Sequence, residues 1–180
     1  METWLAILRG INVSGKNLIK MAELKVLLQS KGLTDVQTYI QSGNVVFKHK
    51  STDPTKLSTL ISKAIKEAFN CDVPVIVRTA KDVATILADN PYLKQKNTAP
   101  EHLYVTCLAE VPPAENIGKL EGINSGDDTW QIIGCNIYLH CPGGYGNTKL
   151  NNNLFENKLK VTATTRNWKT MNVLLEMMQP

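Results

Sequence analysis

The stretch Val36-Gln37-Thr38-Tyr39-Ile40-Gln41-Ser42-Gly43-Asn44-Val45-Val46-Phe47 consists of two runs rich in β-branched and aromatic residues, separated by a small polar segment. This pattern is typical of a β-hairpin, in which the two runs form strands and the Ser-Gly pair forms the turn. The place of the hairpin in the chain determines the fold, because the sequence on each side of it predicts a helix and a further strand.

A buried strand and a helix are predicted before the hairpin. Residues 4–8 are apolar at every position, which is typical of a central strand covered on both faces. Gly32 is a candidate for the C-terminal cap of the helix that follows. The apolar residues of that helix recur at helical spacing; they are Met21, Leu24, Leu27 and Leu28.

A second helix and a fourth strand are predicted after the hairpin. Asp53 is in position to cap the helix, with Pro54 in its first turn. Residues 73–77 form the strand, which its proline places at an edge of the sheet. A third helix follows, capped by Thr79 and Asp82. The order strand, helix, hairpin, helix, strand is that of the split βαβ or ferredoxin-like unit, whose strands pair in the order 4-1-3-2.

The element order repeats after a polar connector at residues 94–100. We therefore predict two α+β halves, 1–95 and 96–180, each a ferredoxin-like unit with an antiparallel sheet, and a C-terminal helix. The last strand of the second half, near Thr164 and Thr165, is predicted to be shortened or replaced. The other elements predicted in this half are a strand at 102–108, a short helix after 112–113, a hairpin at 129–140 and a helix at 154–159.

Composition and charge are those of a soluble globular protein. The chain has 180 residues, is 43% hydrophobic and carries a formal net charge of +4, which permits anionic partners without requiring them. It has no apolar run of about 20 residues and no basic, cleavable leader, so we predict a cytoplasmic protein without a membrane partner. The four cysteines form no Cys-x-x-Cys pair, and neither a metal nor a cofactor is predicted.

A basic loop rich in amides and glycine follows the first strand, at residues 9–17. The 4-1-3-2 order brings the end of the first strand beside the start of the third. Arg9 and Asn12 are therefore predicted to lie beside Ser42 and Asn44. Backbone N–H groups of a glycine loop, together with an arginine, favour a negatively charged ligand. The alternative is that these segments are ordinary tight turns whose polar side chains satisfy their own backbone.

A second group of polar residues lies near the end of the chain. The loop at 143–149 is predicted to enter a helix with Asn147 as its cap, which places Thr148 and Lys149 where an anion is stabilised. In the later Thr-Thr-Arg-Asn-Trp run, the hydroxyls are predicted to cap the terminal helix and Arg166 to lie in its first turn. A cation there costs about 0.3–1 kcal/mol, which predicts a compensating anion, either a ligand or a carboxylate.

Six segments form a recognisable set: Leu-Arg-Gly-Ile-Asn-Val at 8–13, Gly-Lys-Asn at 15–17, Met-Ala-Glu-Leu at 21–24, Asp-Val at 35–36, Thr-Tyr-Ile-Gln-Ser-Gly-Asn-Val-Val-Phe at 38–47 and Ala-Thr-Thr-Arg-Asn-Trp at 163–168. Together they closely resemble a bacterial family catalogued as domain of unknown function 1697. The resemblance extends from about residue 4 to 175. It implies a pair of ferredoxin-like halves and no particular activity. Ser14 stands where the family commonly has glycine, which makes a positive φ there less expected.

These observations lead to a hypothesis of ligand binding. We predict that the chain binds an anionic, phosphate-bearing small molecule or a nucleotide. A nucleic acid is a less favoured partner, because the third strand lacks the paired aromatic residues that stack on bases. The residues predicted to bind the ligand are Arg9, Asn12, Lys16, Asn17, Ser42, Asn44, Thr148, Lys149, Thr165, Arg166 and Asn167.

Two alternatives remain open from the sequence. The chain could be a small enzyme acting on a phosphorylated or acyl substrate, with Ser42, Thr148 and Glu156 as the candidate nucleophiles or bases. It could also be an interaction protein whose polar loops are buried as structural hydrogen-bond networks. The oligomeric state is open, as is whether Arg9 and Arg166 share one cleft.

Overall fold

A computed structural model of the chain describes residues 1–96 and 98–179. The predicted connector at 94–100 is therefore described except for Asn97, which lies outside the described residues. Short 3-10 turns occur at the two ends of this connector, at Pro91–Lys94 and Pro100–His102. Among the described helices, none is both long enough and apolar enough to cross a membrane.

The first ferredoxin-like unit consists, in chain order, of β1 (Glu2–Leu8), α1 (Met21–Ser30), β2 (Thr34–Tyr39), β3 (Asn44–His49), α2 (Pro54–Phe69) and β4 (Val75–Thr79). Its strands pair antiparallel in the order β2-β3-β1-β4. Counted from the other edge, this is the predicted 4-1-3-2 order, with β4 at an edge. The hairpin of β2 and β3 and the topology predicted around it are confirmed.

The second unit has the same topology. The elements after β4 are α3 (Ala80–Ala88), β5 (Leu103–Leu108), α4 (Ala114–Ile117), β6 (Thr129–Ile133), β7 (Asn136–His140), α5 (Asn152–Leu159), β8 (Ala163–Asn167) and α6 (Trp168–Met177). The strands pair antiparallel in the order β6-β7-β5-β8. The α+β class, with two four-stranded antiparallel sheets and a C-terminal helix, is thereby confirmed.

The last strand of the second sheet is complete, so the prediction that it is shortened or replaced is wrong. β8 has 5 residues, as does β4, and it pairs with β5 from Leu108↔Ala163 to Tyr104↔Asn167. The strand carries four polar residues in succession, so it shows no apolar pattern in the sequence. Pairing with a central strand overrides that local signal.

The described residues pack as two compact units. The first contains residues 1–85 and 173–179, and the second contains residues 86–96 and 98–172. The chain thus passes from the first unit to the second within α3 and returns to the first within α6. A boundary between folding domains at residues 95 and 96 stays a prediction.

The central strands carry the cores of the two units. Residues 4–8 of β1 are at most 1% exposed, which confirms a strand covered on both faces. In the second unit, Phe155 and Leu159 of α5 belong to one buried cluster with Leu108 of β5. Close-packed cores of this kind hold the connecting loops on a rigid base.

Two predicted helix caps are confirmed. Asp53 Oδ1 accepts hydrogen bonds from the N–H groups of Thr55 and Lys56, at 2.9 and 3.2 Å. Thr79 and Asp82 cap α3 reciprocally, because the backbone N–H of each donates to the side chain of the other.

Candidate functional site

The loop between β1 and α1 contains a two-residue turn. Val13 and Lys16 form an antiparallel bridge, and the Lys16 N–H donates to the Val13 carbonyl at 2.9 Å. Between them, Ser14 and Gly15 have φ of 50° and 73°, as a type I′ turn requires. Ser14 therefore does adopt the positive φ that its residue type made less expected.

The side chain of Asn12 connects this loop to the hairpin of β2 and β3 through hydrogen bonds. Its Nδ2 donates to the carbonyl oxygens of Ile19 and Gln41, both at 2.9 Å, and its Oδ1 accepts from the Ile19 N–H at 2.9 Å. One side chain thus satisfies three backbone groups on two segments. Its own φ is 53°, a conformation that asparagine adopts more readily than most residues.

Asn17 and Asn44 also bond to nearby backbone. Asn17 Nδ2 donates to the Gly10 carbonyl at 3.0 Å. Asn44 is fully buried, and its Nδ2 donates to the Tyr39 carbonyl at 3.0 Å and to Ser42 Oγ at 3.1 Å. These bonds agree with the alternative that the polar side chains satisfy the turns themselves. Contact of these amides with a ligand stays a prediction.

Gly43 sets how closely the hairpin turn approaches β1. The Leu8 N–H donates to the Gly43 carbonyl at 2.8 Å. A Cβ on Gly43 would lie 2.8 Å from Leu8 Cβ and from Ile11 Cδ1, and the φ of 87° also favours glycine. The predicted proximity of residues 9–12 and 42–44 is therefore observed.

The loop that follows β1 is basic. Residues 3–22 contain no aspartate or glutamate, whereas Arg9, Lys16 and Lys20 all lie in this segment. Lys20 pairs with Glu23 at 3.1 Å. Lys16 is exposed and forms no ion pair with any described residue, and Arg9 is half-buried at the end of β1. The loop thus presents positive charge on a backbone held in place by asparagine.

In the second unit, Thr165 is the centre of a hydroxyl network on β8. Its Oγ1 lies 2.7 Å from Thr106 Oγ1, 3.0 Å from Tyr145 Oη and 2.7 Å from Asn152 Oδ1. A hydroxyl has one proton and two lone pairs. Thr165 donates to Asn152, so it accepts from both Thr106 and Tyr145, and its hydrogen-bonding capacity is filled by the protein.

Sequence analysis missed the partners of Thr165. Thr106 lies opposite Thr165 in the β5–β8 register, which could have been found only by recognising β8 as a strand. Tyr145 reaches the network from the loop after β7, where its ring stacks with that of Tyr104, the centroids being 5.2 Å apart. Its place between two glycines was the only sequence signal.

The Thr-Thr-Arg-Asn part of the later run lies in β8 rather than in a helical turn. The predictions that its hydroxyls cap the terminal helix and that Arg166 lies in the first turn of that helix are therefore wrong. Arg166 is a buried strand residue, and its Nη1 donates to Thr164 Oγ1 at 3.0 Å and to the Thr165 carbonyl at 2.9 Å. The helix dipole therefore does not require a compensating anion there. The cap of α6 is Asn167, whose Oδ1 accepts from the Thr170 N–H at 2.7 Å.

The predicted cap of the helix after the glycine loop is also wrong. Asn147 lies in a 3-10 turn, Tyr145–Asn147, and donates to a carbonyl of the same loop. The cap of α5 is Asn151, whose Oδ1 accepts from the Leu154 N–H at 3.0 Å. Lys149 is exposed two residues before that cap.

β4 and β8 each carry an arginine at the same position. Arg78 and Arg166 are both the fourth residue of a 5-residue strand. Each donates from Nη1 to the carbonyl of the preceding residue, at 3.0 Å to Val77 and 2.9 Å to Thr165. Sequence analysis grouped Arg166 with Arg9 instead, because the repeat is visible only in strand order and register.

The three candidate nucleophiles or bases form structural hydrogen bonds. Ser42 Oγ accepts the side-chain bond described above, Thr148 Oγ1 accepts from the Leu150 N–H, and Glu156 Oε1 accepts from the Ala163 N–H. Residues 1–96 and 98–179 hold no cluster of three or more His, Cys, Asp or Glu that could bind a metal ion.

Cys141 is a buried thiol beside the glycine loop. It is 0% exposed, and burial raises its pKa to about 11, while a hydrogen bond with Thr148 opposes that change. The thiol is therefore protonated at neutral pH. This environment is that of a core residue rather than of a nucleophile.

The predicted ligand-binding residues divide between the two units. In the first unit, Asn12, Ser42 and Asn44 lie at the junction of the loop and the hairpin, Asn17 bonds to Gly10, and Lys16 lies in the two-residue turn's closing pair. In the second unit, Thr148 adjoins the Thr165 network, because its N–H donates to the carbonyl of Tyr145, at 3.3 Å. Thr165 and Arg166 are successive strand residues, so their side chains point to opposite faces of the sheet.

The architecture defines an α+β protein built from two ferredoxin-like units. The chain matches the family described as "Protein of unknown function (DUF1697)" over residues 1–138, and it belongs to that family. Among solved structures it is similar to conserved bacterial protein SP0830 from Streptococcus pneumoniae, with 22% identity, a TM-score of 0.74 and 99% of each chain covered. That similarity shows the fold. No protein with a curated description matches the chain.

Proposed function

We propose that the chain binds an anionic, phosphate-bearing small molecule at the basic loop of the first unit. Lys16 and Arg9 supply the positive charge, and the backbone of the Ser14-Gly15 turn supplies donors. The asparagines of the loop act as its scaffold. Ser42 and Asn44 of the hairpin turn support the loop from beside it, and the predicted residues of the second unit contribute to binding elsewhere or to stability alone.

The observation that carries this proposal is a basic segment without acidic residues on a fixed backbone. A ligand that meets a preorganised loop loses less binding free energy to the ordering of that loop. The N–H groups of Ser14 and Gly15 donate no hydrogen bond to any described residue. Successive N–H groups in such turns form concave sites for anions.

The test is a thermal-shift screen against inorganic phosphate, nucleotides and sugar phosphates, followed by calorimetric titration of the hits. For a ligand of this loop, Lys16→Ala raises Kd about fivefold, since an exposed charge pair contributes up to about 1 kcal/mol. Lys63→Ala is the matched control, because Lys63 is an exposed lysine of α2 in the same unit.

Ionic strength provides a second criterion for the same site. Binding through exposed lysine and arginine weakens between low and physiological salt, because mobile ions screen the charges. Equal affinity of Lys16→Ala, Lys63→Ala and the unmodified chain for every hit would refute the proposed site.

A second candidate function is protein interaction, which three exposed apolar side chains of the same region favour. Val13, Leu18 and Ile40 are 56%, 70% and 48% exposed, and the bonds of Asn12 tie the segments that carry them. Sedimentation equilibrium of the chain and of Leu18→Ser tests this candidate for self-association. A monomer at all concentrations for both proteins would exclude a homo-oligomeric contact at this loop.

A further inference from the structure

A separate groove lies at the far end of the first sheet from the basic loop. It has a volume of about 400 Å³ and is formed by β2, β3, the exposed side of α1 and the residues that end α6. Thr3 of β1 lines it, whereas the basic loop begins after Leu8. Leu8 is five residues after Thr3 along β1, which corresponds to a distance of roughly 17 Å.

A β-bulge in β2 shapes the floor of this groove. Thr34 pairs with Lys48 and Gln37 pairs with Val46, so two residues of β2 face the single residue between those partners on β3. One bulged residue, Asp35, has φ of 50°. The extra residue places Gln37 on the same face as Thr34, whereas a regular strand would turn Gln37 to the opposite face.

Four polar side chains that line the groove have no partner among the described residues. The side chains of Lys25, Gln29, Gln37 and Gln179 form no hydrogen bond or ion pair with any residue in 1–96 or 98–179. This contrasts with Asn12 and Asn17 of the basic loop, whose amides bond to backbone groups. The groove thus keeps donors and acceptors available for a ligand.

The charge of the groove is positive. Lys25, Lys48 and Asp35 are the charged residues that line it, and Lys48 Nζ pairs with Asp35 Oδ2 at 2.9 Å. That pair leaves the ammonium group of Lys25 as the uncompensated charge. An anionic group of a ligand is therefore favoured at the α1 side of the groove.

Apolar and polarisable side chains also line the groove. Met177 and Met178 line it from the end of α6, and Val36 and Phe47, which are 2% and 0% exposed, belong to the hydrophobic core beneath it. Methionine side chains adapt to irregular shapes, and their sulfur atoms make favourable contacts with aromatic rings. A pocket of this volume accommodates a ligand of small-molecule size.

We propose that this groove is a second ligand site, which binds an anionic metabolite of about mononucleotide size that carries an aromatic group. Its anionic group lies at Lys25, its aromatic group lies against Met177 and Met178, and its polar edges bond to Gln29 and Gln37. This site is independent of the basic loop and does not require that loop to bind anything.

The test uses the full chain labelled with ¹³C at the methionine methyl groups. Met177 and Met178 then report directly on the groove, with Met171 of α6 as the internal reference and Met177→Leu to assign the signals. The probes are the four ribonucleoside 5′-monophosphates, with inorganic phosphate and the parent nucleosides as separate arms. We expect a saturable shift of the Met177 and Met178 signals with at least one monophosphate and a smaller shift in both control arms.

Variants locate the binding to the groove. Lys25→Ala raises Kd about fivefold, while Lys63→Ala leaves it unchanged. Lys16→Ala also leaves it unchanged, so failure at the basic loop and failure at the groove are distinguishable. The proposal is overturned if no monophosphate shifts either signal. It is also overturned if inorganic phosphate shifts them equally or if Lys25→Ala binds as tightly as the unmodified chain.

Discussion

Gly43 shows at the scale of one residue how the loop after β1 and the hairpin turn of β2 and β3 are held together. Its backbone carbonyl accepts from Leu8, and the space that a Cβ would need is occupied by Leu8 and Ile11. The turn of the hairpin and the end of β1 are therefore in contact only because position 43 has no side chain.

Replacement of Gly43 by alanine is predicted to lower the free energy of unfolding by about 3 kcal/mol, through both steric overlap and strain at positive φ. Gly15→Ala is the matched control. Gly15 has φ of 73°, but nothing lies within 4 Å of its Cβ position, so a loss of about 1 kcal/mol is expected. Urea denaturation measures both losses. Equal losses would show that the contact with Leu8 and Ile11 has no energetic role.

The asparagines mark the limit of prediction at this scale. The sequence correctly predicts that Asn12 lies beside the hairpin turn, because strand order alone brings the two segments together. It does not distinguish an amide that bonds a ligand from one that bonds its own loop. That choice depends on where the backbone groups of residues such as Ile19 and Gln41 point, which the residue type does not encode.

At the scale of the element, the start of α5 separates two asparagines that look alike in the sequence. Asn151 caps the helix, whereas Asn147 bonds within a turn before it. Asn151→Ala is predicted to destabilise the protein by about 1 kcal/mol, the usual contribution of such a cap. Asn147→Ala is predicted to change stability by less than about 0.5 kcal/mol, because its bond is exposed. Chemical denaturation compares them, and a larger loss for Asn147→Ala would contradict the assignment of the cap.

Elements with an apolar pattern were predictable and elements without one were not. The strands at 4–8 and 45–47 follow from continuous apolar runs. β8 has no such run, and its strand conformation comes from pairing with β5. Because β8 was not recognised as a full strand, Arg166 was assigned to a helix and the contact of Thr165 with Thr106 was not predicted. Most wrong predictions about the second group of site residues therefore have this single cause.

At the scale of the whole molecule, the buried thiol of Cys141 links stability to alkaline pH. Burial raises its pKa from 9.0 to about 11 in the native state. Below pH 9 the thiol is protonated in both states, so its contribution is fully present. Between about pH 9 and 11 only the unfolded chain loses the proton, and the free energy of unfolding falls by about 2 kcal/mol.

Cys141→Ala is predicted to make this alkaline decline shallower by about the same amount, as measured by urea denaturation at several pH values. Tyr138, whose pKa burial also raises, acts in the same direction in both proteins. Parallel curves for Cys141→Ala and the unmodified chain would exclude the linkage.

The repetition of one topology was predictable for the molecule as a whole, because the order of elements is written in the spacing of apolar runs. The equivalence of Arg78 and Arg166 was not, since the two positions share strand register but no surrounding sequence motif. The groove beside β2 was also missed. It depends on a bulge and on residues 177–179, which lie far from β2 in the chain.

Residues 173–179 pack with the first unit, although the second unit is synthesised before them. On the ribosome, residues 1–85 thus lack the segment 173–179 of their own unit until residues 86–172 have also been translated. The first unit is therefore expected to be completed only after residues 173–179 have been synthesised, nearly together with the second unit rather than before it.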